Sequence, residues 1–302
     1  MNQHLSWSAQ AKIQLWITSW TGAGDTTDNI IKNKIFPLLY ADDLKLGVLY
    51  ESSSRTQDFS DTSKVFKDIV YLAKNYFTHP NYLKIDDRPA IFISDCPTLA
   101  SHGLLGQILN YTRQAAAQYY GDVYIVGDLA NGVPTSADMD NLALVDAITC
   151  YDVAASLNAT EYVSGRGVNQ FAKDQMSWAK AAYSYGVDFI PAVTPGFNDM
   201  ARSDDHGPIS RKLTTDSSFG SLLRALLEKA FQLMDKNTGY LVLVNSFNRW
   251  DQDTQIEPVK VMNGNGYYTN QDQSSSGYQY TYGIEYDEYG TRYLDILQEV
   301  TS

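Results

Sequence analysis

Short runs of apolar residues alternate along the chain with longer stretches in which apolar positions recur every three or four residues. The runs at 13–19, 46–50, 90–94, 123–127, 145–151, 189–194 and 240–246 read as strands. The periodic stretches at about 61–78, 103–119, 168–186, 219–235 and 289–300 read as helices, and residues 2–12 as a helix ahead of the first strand. The strands are continuously apolar rather than alternating. That pattern predicts burial on both faces, hence a parallel sheet covered by helices in repeated β–α units. For a single domain spanning 1–302, this leaves a (β/α)₈ barrel or an open doubly wound sheet.

The residues that follow the strands separate these two. Trp20, Glu51, Asp95, Asp128, Tyr151 with Asp152, Asp199 and Asn248 each come after a different strand. A barrel builds its site from all of its βα loops, whereas an open sheet concentrates it at one switch point. The fold expected is therefore an α/β barrel of the TIM type. Only seven strands can be counted, so the barrel is expected to lack its first strand at the N-terminus.

Composition narrows the function classes. Hydrophobic residues make up 44% and charged residues 19%, ordinary for a globular protein, and no apolar run is long enough to span a membrane. The net charge of −12 repels phosphate backbones, so nucleic acid is not an expected partner. Gly22 and Gly24 alone do not form a dinucleotide fingerprint, and neither the four histidines nor Cys96 and Cys150 have metal-ligand spacing. No cofactor is expected, and the two cysteines read as buried free thiols.

There are 22 tyrosines and five tryptophans, residues whose rings stack on the apolar faces of sugars as readily as they fill a core. Eight of the tyrosines fall between Tyr267 and Tyr293, most of them in a Gly-, Asn-, Gln- and Ser-rich loop at about 260–284. Two triplets fit N-glycosylation, at Asn110 and Asn158, and point to a secreted protein or one in the secretory pathway, although the N-terminus has no signal-peptide pattern.

Six segments in register resemble glycoside hydrolase family 99, the endo-α-mannosidase and endo-α-mannanase family. They are "ITSWTG" (17–22), "LYESSSR" (49–55), "YFTHPNYLKIDDRPAIFI" (76–93), "PAVTPGFND" (191–199), "SFNRWDQDTQIEPV" (246–259) and "YDEYGTRYLDIL" (286–297). The resemblance implies a (β/α)₈ barrel acting on α-linked mannose glycans. The family motif on the last strand is Asn-Glu-Trp-His-Glu-Gly-Thr-Gln-Ile-Glu-Pro. One of its two leading glutamates assists attack by the mannose 2-hydroxyl, giving a 1,2-anhydro sugar, and the other protonates the leaving oxygen.

Here Arg249 and Gln252 stand at those two positions, Asp251 replaces the His, and Asp253 replaces the Gly. Arginine cannot act as a base near neutral pH, and a Gln amide cannot act as a general acid. The expectation is a barrel impaired in the family's chemistry that binds α-mannoside-type glycans or is otherwise repurposed. Asp251, Asp253 and Glu51 are the substitutes an altered but active glycosidase would need. The sugar-contacting set implied by the resemblance is Trp20, Glu51, Arg55, Tyr151, Asp152, Phe197, Asp199, Asn248 and Trp250. For several of these the residues alone allow a second reading. Trp20 fits the core as well as a sugar platform, and Glu51 fits a pair with Arg55. A third expectation is a structural glycoprotein that assembles with further copies through the Tyr-rich loop and the incomplete barrel edge.

Overall fold

A computed structural model describes residues 1–39, 44–57, 59–157, 161–199, 207–259 and 289–301. Its strands, in chain order, are β1 (Leu15–Trp20), β2 (Lys45–Tyr50), β3 (Lys84–Ile85), β4 (Arg88–Ile93), β5 (Tyr124–Asp128), β6 (Ala147–Thr149), β7 (Asp188–Ile190), β8 (Ala192–Val193) and β9 (Leu243–Val244). The path β1-β2-β4-β5-β6-β7 is parallel throughout, and β8 pairs in parallel with β9. β7 and β8 are separated by Pro191 alone, whose carbonyl still accepts from the Leu243 N–H at 2.9 Å. Proline has no N–H of its own, which interrupts the ladder there without turning the chain. The seven predicted strands are therefore all present as one parallel succession.

The side chains show that this succession curls as a barrel. Leu49, Phe92, Val126, Ala147 and Ile190 form an inner cluster with Ile17 and Leu243, and no residue of that cluster is helical. Their strand neighbours Val48, Tyr50, Ile91, Ile93, Ile125, Ile148 and Phe189 face the other way, into a larger cluster shared with the helices. A doubly wound sheet would place helices on both faces; here the inner face packs on itself. The β3–β4 hairpin turns on Asp86 and Asp87, both at positive φ (51° and 58°), and Leu83 and Ile85 join the inner cluster from there. Among the described residues no ladder joins β9 back to β1. Side chains span that gap, with the Trp16 and Phe247 rings 6.1 Å apart and Leu15 and Leu241 packed on the inner cluster.

The predicted helices appear as Asn2–Gln10, Val65–Asn75, Leu105–Tyr119, Ser164–Ser184, Ser221–Ala230 and Arg292–Val300. A further helical stretch over 26–39 was not legible as a period. It starts where Asp25 caps the Asp28 N–H at 3.2 Å. Gly220 precedes Ser221–Ala230 at φ +83°, and a Cβ there would sit 2.2 Å from the Ile296 methyl. Gly220→Ala is expected to lose about 2–5 kcal/mol, from left-handed backbone strain and overpacking together. Urea unfolding should show this as a lower midpoint; an unchanged midpoint would mean that the last helix can retreat.

Candidate functional site

A cleft of about 570 Å³ opens at the carboxyl ends of the strands, where a barrel places its chemistry. Its walls come from the segments after β4 (Asp95, Thr98), β5 (Asp128, Asn131), β6 (Tyr151, Asp152), β8 (Thr194, Phe197) and β9 (Asn245, Gln252). Three of the wall residues are carboxylates from successive strands. Asp95 is held in a left-handed conformation (φ 56°) and accepts from the Ser94 hydroxyl at 2.9 Å. Asp152 accepts the Ala155 N–H at 2.9 Å, capping the short helix Val153–Leu157.

Asp128 ends β5 and is buried, with its Oδ1 accepting the Tyr151 N–H at 2.8 Å. Burial chiefly, with the nearby Asp95 and Asp152 carboxylates adding to it, pushes its pKa up to about 7. Among the described residues, no group of three His, Cys, Asp or Glu has the geometry of a metal site. Asp95 and Asp128 fit the strand-end pattern, but no motif marks them as site residues.

The segment after β9 carries the two positions that correspond to the glutamates of the resembling family. Gln252 lines the cleft, and its carbonyl accepts the Asn198 N–H at 2.8 Å. Arg249 donates from Nη1 to the Tyr151 hydroxyl at 2.5 Å, and its Nε lies 3.6 Å from Asp251. Glu51 is near enough to feel both Arg249 and Asp95. Burial is the main cause that raises its pKa, against hydrogen bonds from Ser19 and Ser94 and the Arg249 charge. Asn245 donates to the Tyr151 carbonyl at 2.7 Å, tying β9 to the loop after β6.

Of the three substitute carboxylates, Asp253 is fixed elsewhere. It is buried and ion-paired with Arg211 at 2.9 Å, while Arg211 also donates to the carbonyls of Asp253 and Gln255. Asp251 is half exposed and engaged with Arg249. The Glu51–Arg55 pairing considered from sequence does not form: Arg55 makes a two-pronged contact with Asp68, both arms at 2.8 Å, and donates to the Thr21 carbonyl.

Trp20 is wholly buried, stacked between Tyr50 and Tyr71, with its indole N–H donated to Asp28 at 3.2 Å. That corrects the sugar-platform reading, since the ring has no face left for a ligand. Asp28 also accepts from Tyr71, from Tyr76 and from the Gly24 N–H, so the whole group is core.

Phe197 lines the cleft and is bridged to Ile209 in both directions, and Asp199 is buried two residues on. Trp250 is 43% exposed, with its indole N–H fixed to Glu257 at 2.7 Å. The other oxygen of Glu257 meets His4 at 2.8 Å. Asn248 is exposed, and its carbonyl accepts the Trp250 N–H. Asn110 is exposed on Leu105–Tyr119 and accepts from Gln114. Asn158 and the Tyr-rich loop at 260–284 lie outside the described residues.

Comparison with known proteins agrees with this architecture. The model of a family described as "Glycosyltransferase WbsX" matches residues 51–269. A solved structure titled "Glycoside hydrolase-like protein" superposes with a TM-score of 0.66 at 18% identity, covering 99% of this chain and 84% of that one. The GH99 endo-alpha-mannosidase from Bacteroides thetaiotaomicron gives 0.61 at 16% identity, covering 99% and 77%. Its complex with bis-tris-propane gives 0.64 at 16%, covering 99% and 82%. At these identities the likeness establishes the fold. No curated protein matches the chain.

Proposed function

The chain belongs to the family described as Glycosyltransferase WbsX, and from that premise we propose that it binds α-mannoside-type glycans in the cleft without cleaving them through the two positions after β9. The observation that carries this reading is Gln252, an amide in the cleft wall where the resembling family has a carboxyl. Its companion Arg249 is a permanently protonated guanidinium engaged with Tyr151 and Asp251, so it cannot take a proton. General acid–base catalysis contributes about 10²–10⁴-fold per group, and neither side chain can supply it.

The cleft chemistry also favours a neutral sugar over a sugar linked to a diphosphate. Among the described residues its lining includes Asp95, Asp128 and Asp152 and no lysine or arginine, the nearby Arg249 being engaged with Tyr151 and Asp251. Such a surface repels phosphate and offers acceptors to sugar hydroxyls. Calorimetric titration with α-mannobiose and longer α-mannans, followed by product analysis of the same mixtures, tests the reading. Binding without products is the expected result; new reducing ends would sink it.

A second reading is favoured by Asp128. A buried carboxyl that keeps its proton to about pH 7 has the character of a general acid, and Asp95 and Asp152 share its cleft. On this reading hydrolysis proceeds through carboxylates after β4, β5 and β6, and products would form in the wild type and vanish in Asp128→Asn. The reading fails if Asp128→Asn forms products at the wild-type rate.

A further inference from the structure

We propose that a groove on the outside of the barrel, between the carboxyl half of helix Ser164–Ser184 and residues 233–240, is a second glycan site that takes a short stretch of neutral polysaccharide against the rings of Tyr183 and Tyr240. The proposal rests on the glycan reading above. The groove holds about 420 Å³, within the range of small-ligand sites. Val187 and Phe189 form an apolar floor, and Asp235 and Lys236 stand on its rim. It lies at the amino ends of β7 and β9, whereas the cleft lies at the carboxyl ends of the strands, so the two sites are separate.

The two tyrosines are presented rather than packed. Tyr183 is 85% exposed and Tyr240 61%. Tyr240 sits at φ +60°, directly after Gly239 at φ +73°, with its N–H donated to the Asp235 carbonyl at 2.9 Å. A left-handed backbone is unfavourable for an aromatic residue, and strain of this kind accumulates at binding sites. The segment is braced at its tip: Asp235 accepts the Asn237 N–H at 2.8 Å, and the Asn237 amide donates to Asp188 at 2.9 Å. A ring held by a braced turn loses little freedom when a ligand arrives.

The chemistry selects a sugar over a protein partner. The most exposed rings are tyrosines, whose hydroxyls stay wet while their faces stack on the apolar side of a pyranose. Asp235 and Lys236 balance in charge and can receive and donate hydrogen bonds to hydroxyls. A stable protein interface would need about 800 Å² per partner with a buried apolar core, and a hollow this small does not provide it.

The test uses the full chain, a soluble α-mannan polymer and a short α-mannotetraose, each titrated into wild type, Tyr183→Ala/Tyr240→Ala, Tyr183→Phe/Tyr240→Phe and Gln252→Trp, the last filling the cleft. The expected result is about a tenfold weaker polymer affinity in the alanine double variant, with the cleft's own mannotetraose site unchanged and polymer binding restored by phenylalanine. Polymer affinity unchanged in the alanine variant overturns the outer site, and the cleft reading then stands if Gln252→Trp abolishes mannotetraose binding. Polymer binding lost in the alanine variant while Gln252→Trp changes nothing keeps the outer site and overturns the cleft. A wild type that binds neither glycan overturns both.

Discussion

Replacing Arg211 by methionine is expected to destabilise the protein by about 3–5 kcal/mol, the penalty for removing one partner of a buried ion pair. Arg211 is 2% exposed and lies over the rings of Tyr289 and Tyr293. Its guanidinium is the ion-pair partner of Asp253 and the donor to two carbonyls of the loop after β9. Without it the Asp253 carboxylate is left in a site where its Oδ2 has no hydrogen-bond donor of its own. Thermal unfolding should move down by on the order of 10 °C. Arg211→Met with Asp253→Leu should recover much of the loss, because no charge then remains buried. A single variant that melts within 2 °C of wild type would refute the account. The same loop carries Gln252 into the cleft, so glycan affinity should fall along with stability.

Asp128→Asn is expected to flatten the pH dependence of stability. The folded-state pKa of Asp128 is raised to about 7, whereas an unfolded aspartate titrates near 3.9. Between those values the folded chain binds more protons than the unfolded chain, so stability is greatest below about pH 4 and declines as pH rises through about 7. Three pKa steps at about 1.4 kcal/mol each set a ceiling of roughly 4 kcal/mol on that decline. The asparagine variant carries no such term, and it should therefore gain on wild type between pH 5 and pH 8. Urea unfolding at those two pH values reads the difference directly. Parallel profiles for the two proteins would show that Asp128 is ionised throughout.

Much of the barrel was legible because the physics that makes it is local. Continuous apolar runs such as 46–50 and 90–94 are buried on both faces, and a parallel strand inside a ring of helices requires that. The last strand was less legible. The run at 240–246 is uniformly apolar at its start, but Tyr240 is in a left-handed conformation and only Leu243–Val244 form a ladder. Backbone angle is not written in hydrophobicity. The helical stretch over 26–39 escaped because Pro37 and two lysines blur its period, although Asp25 with Asp28 three residues on was a start signal that could have been used.

For the site, position after a strand was informative and side-chain direction was not. Tyr151, Asp152, Phe197 and Gln252 do meet at one cleft. Trp20 occupies an equivalent place in the chain, yet turns outward because Asp28, Tyr50 and Tyr71 enclose its indole. Asp95 and Asp128 looked like any other strand-end carboxylates. Only burial and mutual proximity, which depend on three dimensions, set Asp128 apart.

The side-chain bridge between β1 and β9 gives the cleft an uneven stiffness. A hydrogen-bonded ladder fixes neighbouring strands to one register, since a slip breaks directional bonds. Packed rings such as Trp16 and Phe247 are held by contacts without direction, and can slide by fractions of an ångström at little cost. Asp95 and Asp128 stand at the ends of strands laddered on both sides, while Asn245 and Gln252 follow a strand that, among the described residues, is laddered on one side. The site is built like a vice with one fixed jaw, which carries the carboxylates, and one jaw that yields to the shape of what it grips.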